Sequence, residues 1–185
     1  MKNMTVPNLI TLLRICLVPF LIYIVYKVNT SFFLLVLGVS LLSDVLEGYV
    51  ARLMNQTSDL GAKLDSVADT LTYCVMIFAL YQLWKDHFIE QAMFIYLAIS
   101  CYLVTTLISA FKFGELPSYH TLGAKVAALL LAPSYYLVVL FDAEFFFRSV
   151  IIFYILVAFE ELIITFMLKR PEKNIGSVFS LFRRI

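Results

Sequence analysis

The sequence predicts an all-α integral membrane protein, six transmembrane helices around a polar cavity that opens to the cytoplasm. Three observations lead there. The chain is 62% hydrophobic and only 15% charged over 185 residues, with a mean hydropathy of +0.92. A soluble domain is about half apolar and a quarter charged, so this much apolar surface calls for a bilayer as solvent. Six apolar stretches each have the ~20 residues a spanning helix needs. Most of the acids that interrupt them gather at one place, where the second stretch ends and the third begins.

The first helix is expected over residues 8–28, with Thr5 as cap and Pro7 in the first turn, where a missing N–H is harmless. Lys2 precedes it and Arg14 interrupts it. No small-residue cleavage site follows, which marks a retained helix rather than a removable signal peptide. The second is expected over 31–54 and the third over 60–84. The fourth follows over 89–111, the fifth over 122–141 with a kink at Pro133, and the sixth over 145–168. A polar cytoplasmic tail, 169–185, closes the chain; its stretch 178–185 has the Phe, Leu and Arg content of a segment lying on the membrane surface, and a frayed end is the alternative. The connections are short, so 1–185 reads as a single domain with neighbouring helices antiparallel. Tyr81, Trp84 and Phe88 sit where aromatic anchors occur.

Basic residues set the orientation. One side holds Lys2, Arg14, Arg52, Lys63, Lys112, Lys125, Lys169, Arg170, Lys173, Arg183 and Arg184, and the other only Lys27, Lys85 and Arg148. The first side is cytoplasmic, with both termini inside, and a bacterial inner membrane is the expected location. The formal net charge of +1 gives no case for nucleic acid. Cys16, Cys74 and Cys101 lie far apart inside apolar runs and show neither metal-ligand spacing nor a disulfide framework. The 17 Phe and 11 Tyr need no cofactor to explain them in a lipid-facing bundle.

The chemistry lies in the carboxylates. At about 100° per residue, Asp44, Glu47, Gly48 and Ala51 share one face of the second helix; Gly61, Asp65 and Asp69 share a face of the third. A tight hairpin between the helices turns these faces together. Intramembrane acids cost several kcal/mol and default to a functional reading, and four in low dielectric need protons or a cation. All-oxygen ligands select Mg²⁺ or Mn²⁺, and four carboxylates suit two ions, an arrangement that clamps phosphate oxygens and activates a hydroxyl. Gly48, Ala51 and Gly61 leave room for a ligand, or for close helix packing. Arg52 can hold a phosphate bidentately. Two alternatives stand beside this reading: internal ion pairs with Arg14, Arg52 or Lys63, although four acids outnumber the bases of the hairpin, and a divalent-cation carrier.

Written out, the stretch is Asp44-x-x-Glu47-Gly48-x-x-Ala51-Arg52, eight residues, then Gly61-x-x-x-Asp65-x-x-x-Asp69. It resembles the signature of the CDP-alcohol phosphatidyltransferases, D-x-x-D-G-x-x-A-R-x8-G-x-x-x-D-x-x-x-D, with Glu47 in place of the second Asp. The opening Val6-Pro7-Asn8-Leu9-Ile10-Thr11-Leu12-Leu13-Arg14, with Leu17-Val18-Pro19 after it, is most similar to the phosphatidylglycerophosphate synthase branch. The resemblance implies transfer of a phosphatidyl group from CDP-diacylglycerol to a small alcohol, glycerol 3-phosphate first, with release of CMP; phosphatidylglycerol, inositol phosphate and serine remain as other acceptors. It implies two ions, Mg²⁺ or Mn²⁺, one held by Asp44, Glu47 and Asp65 and the other by Asp44, Asp65 and Asp69, with Asp69 as general base. It implies CDP contacts from Gly48, Arg52 and Ser58, with Asn8, Thr11 and Arg14 lining the same pocket, and a homodimer in the bilayer. Glu47 is one methylene longer than the family residue while Mg²⁺ demands near-ideal octahedral geometry. A catalytically impaired CDP-lipid-binding homologue is therefore the rival within the family.

Lys112, His120 and Lys125 flank the connection between the fourth and fifth helices, where they would meet the acceptor's phosphate or merely add to a basic cytoplasmic side. The segment Ser118-Tyr119-His120-Thr121-Leu122-Gly123-Ala124-Lys125 is less basic than the glycerophosphate branch leads one to expect. Glu160 and Glu161 lie deep in the sixth helix, where one either faces the cavity, near Lys125 or the acceptor, or hydrogen-bonds a neighbouring helix; adjacent residues cannot share a face. His87 is expected in a solvated loop.

Overall fold

The computed structural model describes residues 5–54, 56, 58–114, 119, 121–168, 170, 172 and 175–182. The described residues contain no strand. The helices are α1 (Val6–Tyr26), α2 (Thr30–Leu53), α3 (Asp59–Leu83), α4 (Lys85–Phe113), α5 (Leu122–Phe141), α6 (Glu144–Met167) and the short α7 (Val178–Phe182). The first six are long and apolar enough to cross a membrane, and the six expected stretches fall on them. Packing divides the chain into two units, Met1–Ile89 and Glu90–Ile185.

In the first unit, α1 packs against both α2 and α3. Thr5 caps α1, its side chain accepting from Asn8 N, with Pro7 in the first turn as expected. Pro19 sits inside α1, as prolines do in membrane helices whose neighbours steady the break. The turn into α2 carries Val28 at φ 53°, a left-handed conformation that a β-branched residue rarely adopts; Asn29 then caps α2, accepting from Phe32 N. Leu21, Ile24, Val25, Phe33, Leu37, Ala79 and Leu80 form the buried seam. Rings of Phe20 and Phe32, Tyr26 and Phe78, and Phe33 and Trp84 meet at its far end, where Tyr81 also stacks edge-on against Phe88 at 5.2 Å.

The helix ends fall within one or two residues of expectation except at the start of the fourth helix. The fourth helix begins at Lys85, not 89, and Trp84 alone links it to α3. His87, expected in a solvated loop, lies in the first turn of α4. The reason is that hydropathy reports contact with lipid, whereas backbone hydrogen bonding continues past the apolar run; Asp86 near the N-terminus complements the helix dipole.

In the second unit, α5 packs against α6 along Tyr135, Val138, Phe147, Val150, Ile151 and Val157. At Gly123 an added Cβ would lie 2.8 Å from Val157 Cγ2, so the two backbones approach closely there. α5 runs through Pro133 as one helix, with Ser134 Oγ donating back to Leu131 O (2.8 Å). Arg148 ties α6 to α4, its Nε donating to Gln91 Oε1 (2.8 Å). The tail stretch is docked: Ile175 N donates to Tyr119 O (2.8 Å), Leu122 N to Gly176 O (3.0 Å), and Ile175 and Leu181 are buried against Tyr119, Ile164 and Leu168. Residues 183–185 of the expected surface segment lie outside the described residues.

Candidate active site

Three helices of the first unit bring their polar positions to one point, about one and a half to three turns inside each end. α2 contributes Asp44 and Glu47, α3 contributes Asp65 and Asp69, and α1 contributes Thr11 and Arg14. The i, i+3 and i, i+4 spacings place each pair on a single helix face. One oxygen each of Asp44, Glu47 and Asp65 lies within 4.8 Å of the others. Asp69 joins through Arg14, whose Nη1 is 3.3 Å from Asp69 Oδ1.

Arg14 stands among all four acids. Its Nη1 pairs with Asp44 and Asp69; its Nη2 is 2.6 Å from Asp65 Oδ1 and 3.7 Å from Glu47 Oε2. Its side chain is 2% exposed, while those of Asp44, Asp65 and Asp69 are 38%, 41% and 40% exposed. The base is therefore enclosed and the three aspartates open outward. The bases of the α2–α3 hairpin, Arg52 and Lys63, are too few for four acids, but Arg14 was also a possible partner. The pairing exists, and its base comes from α1. No ion pair of Arg52 or Lys63 is seen among the described residues.

Glu47, the departure from the family signature, has its own support. Thr11, fully buried, donates its hydroxyl to Glu47 Oε1 at 2.6 Å. The other oxygen, Oε2, is buried and has no hydrogen-bond partner among the described residues. A buried carboxylate oxygen without a donor is costly, and here it belongs to a cluster of three carboxylates. An all-oxygen donor set with an unsatisfied acceptor fits a hard divalent cation.

The remaining first-unit candidates surround this point. A Cβ on Gly48 would lie 3.5 Å from Arg52 Nη1, so the exposed guanidinium folds back over the bare backbone of Gly48. At Gly61 a Cβ would lie 2.7 Å from Asn8 Oδ1 and 3.1 Å from Ser58 Oγ. The missing side chain is what lets α3 start against buried Asn8. Ser58 is the N-cap of α3, accepting from Gly61 N at 3.0 Å.

In the second unit, Lys112 donates to Thr165 O (2.9 Å) and Phe166 O (3.0 Å), satisfying carbonyls at the C-terminus of α6. Lys125 is exposed in the first turn of α5. His120 lies outside the described residues. Glu160 Oε1 accepts from Val178 N at 2.9 Å, so its partner is the tail. Sequence reasoning missed the Tyr119–Thr165 hydroxyl contact (2.9 Å) and the Lys112 cap; a lysine just beyond an apolar run was the one signal for the latter.

A sequence model of the CDP-alcohol phosphatidyltransferase family matches residues 4–167, nearly the whole helical part. The chain belongs to that family. It is 40% identical over 82 residues to a CDP-diacylglycerol–glycerol-3-phosphate 3-phosphatidyltransferase of Pseudomonas fluorescens, 43% of this chain and 42% of the relative. It is 43% identical over 67 residues to the protein of that name from Aquifex aeolicus, 36% of this chain and 37% of the relative. It is 35% identical over 77 residues to a human cardiolipin synthase (CMP-forming), 41% of this chain and 26% of the relative. The chain thus spans less than half the length of these relatives. No solved structure matches it.

Proposed function

We propose that this protein transfers a phosphatidyl group from CDP-diacylglycerol to an alcohol, with glycerol 3-phosphate the leading acceptor, and releases CMP. The observation that carries the reading is the meeting of Asp44, Glu47 and Asp65 within 4.8 Å, beside Asp69, in a family member. In the transfer, the acceptor oxygen bonds to the phosphorus that carries diacylglycerol, and the bond from that phosphorus to the CMP oxygen breaks. Asp69 takes the acceptor's proton, and Arg52 with the bare backbone of Gly48 receives the diphosphate. Asp44, Glu47, Asp65 and Asp69 are the residues that would hold two Mg²⁺ or Mn²⁺ ions. When bound, such ions stabilise charge on phosphate oxygens and lower the pKa of the acceptor hydroxyl. Asn8, Thr11 and Ser58 fix the floor of the pocket. The whole of 1–185 acts as one domain in a bacterial inner membrane, with its cavity and both termini cytoplasmic and a second copy as partner. The distribution of basic residues supports that orientation.

The test is CMP release from CDP-diacylglycerol across glycerol 3-phosphate, phosphatidylglycerol, inositol phosphate and serine, with Mg²⁺ and with Mn²⁺. Release with none of them would sink the reading. Phosphatidylglycerol is the second acceptor because of the similarity to a human cardiolipin synthase. Metal flux into proteoliposomes would favour a carrier.

Glu47→Asp restores the family residue and is expected to keep or raise kcat/KM for CMP release; complete loss would remove Glu47 from the ligand set. For the acceptor phosphate, Lys125 is the exposed candidate, and Lys112, which also donates to Thr165 O and Phe166 O, is the second. Lys125→Met is expected to raise KM for glycerol 3-phosphate about tenfold, as loss of one charge-assisted contact does. Lys112→Met is expected to lower stability by about 1 kcal/mol, read as a fall in Tm, because it uncaps α6.

A further inference from the structure

We infer that Arg14 is a tethered cation that occupies the metal site in competition with divalent ions. The inference rests on the metal-dependent reading above and adds a role for Arg14 beyond lining the pocket. Arg14 cannot shed its charge, and its guanidinium reaches every acid of the site. Nη1 bridges Asp44 on α2 to Asp69 on α3, and Nη2 bridges Glu47 to Asp65 at 3.7 and 2.6 Å. The same four groups are those that would ligate ions. Nε of Arg14 is buried with no hydrogen-bond partner among the described residues, so the carboxylates alone hold the fork in place. Glu47 is anchored independently by Thr11 at 2.6 Å, and its second oxygen, 3.7 Å from Nη2, is buried with no hydrogen bond among the described residues. Glu47 therefore has a tether that does not depend on the guanidinium. A ligand that binds only the competent fraction of a protein shows an affinity reduced by that fraction. If Arg14 closes the site nine-tenths of the time, its removal raises metal affinity about tenfold.

The experiment titrates the full chain in nanodiscs with Mn²⁺, reading free Mn²⁺ by electron paramagnetic resonance, and follows thermal unfolding in EDTA. Wild type, Arg14→Gln, Arg14→Lys and Asp65→Asn are compared. Arg14→Gln is expected to bind Mn²⁺ at least tenfold more tightly than wild type, to unfold at a lower temperature in EDTA, and to regain the difference at saturating Mn²⁺. Arg14→Lys, which keeps a charge but lacks the fork, should fall between, and it carries the test if the Gln variant does not fold. Mn²⁺ binding that Asp65→Asn abolishes, but that is unchanged or weaker in the Arg14 variants, would overturn the competition and leave the metal reading standing. No Asp65-dependent Mn²⁺ binding in any variant would overturn both.

Discussion

Asp65→Asn is expected to reduce CMP release from CDP-diacylglycerol by at least about a thousandfold, equivalent to about 4 kcal/mol of lost transition-state stabilisation. Asp65, like Asp44, belongs to both proposed ion sets. Its Oδ1 lies 2.6 Å from Arg14 Nη2, and it belongs to the cluster with Asp44 and Glu47. Asparagine has nearly the same shape, so packing is preserved while the charge is removed. The amide would also turn a donor or a weaker acceptor toward the guanidinium, leaving Arg14 less well paired. The check is CMP release at saturating Mg²⁺, with unfolding temperature as a control for folding. Activity within tenfold of wild type would remove Asp65 from the chemistry.

Gly61→Val is the substitution expected to do most harm without touching a charge. Its Cβ would stand 2.7 Å from Asn8 Oδ1 and 3.1 Å from Ser58 Oγ. Asn8 is 1% exposed, so its displacement pushes into packed neighbours or drives α1 and α3 apart. Overpacking of this kind costs about 1–3 kcal/mol. Ser58 would also be pushed off Gly61 N, weakening the N-cap of α3 by about 1 kcal/mol more. Because Asp65 and Asp69 lie one and two turns further along α3, their distances to Arg14 open as well. A displacement of about 1 Å at a reacting site can cost a hundredfold in rate. Both a lowered Tm and a drop in CMP release of that order are expected. Gly176→Ala is the control, since a Cβ there meets nothing within 4 Å. Wild-type stability and activity in Gly61→Val would show that the α1–α3 approach is not tight.

Much of the architecture was legible because membranes impose a coarse code. Apolar runs of spanning length located all six long helices, and Thr5 and Pro7 marked the cap and first turn of α1. The same code misread Lys85, Asp86 and His87, since polarity ends contact with lipid without ending a helix. The meeting of Asp44 and Glu47 with Asp65 was readable from helical periodicity plus a short hairpin. The position of Arg14 was not, because it depends on how α1 rotates against two other helices. A signal existed in the spacing of Asn8, Thr11 and Arg14, each three residues on from the last, a polar stripe on an apolar helix that turned out 1%, 0% and 3% exposed. The docking of residues 175–182 left no trace in periodicity, since a five-residue helix is too short to show one.

That docking bears on the order in which the protein is made. The carbonyl of Tyr119 and the amide of Leu122 find their backbone partners in Ile175 and Gly176, more than fifty residues downstream. During synthesis, the connection into α5 must wait until residue 176 has left the ribosome before these groups are matched. The second unit is therefore closed only by residues made well after the connection they seal, and a nascent chain released before residue 176 would leave that seam open.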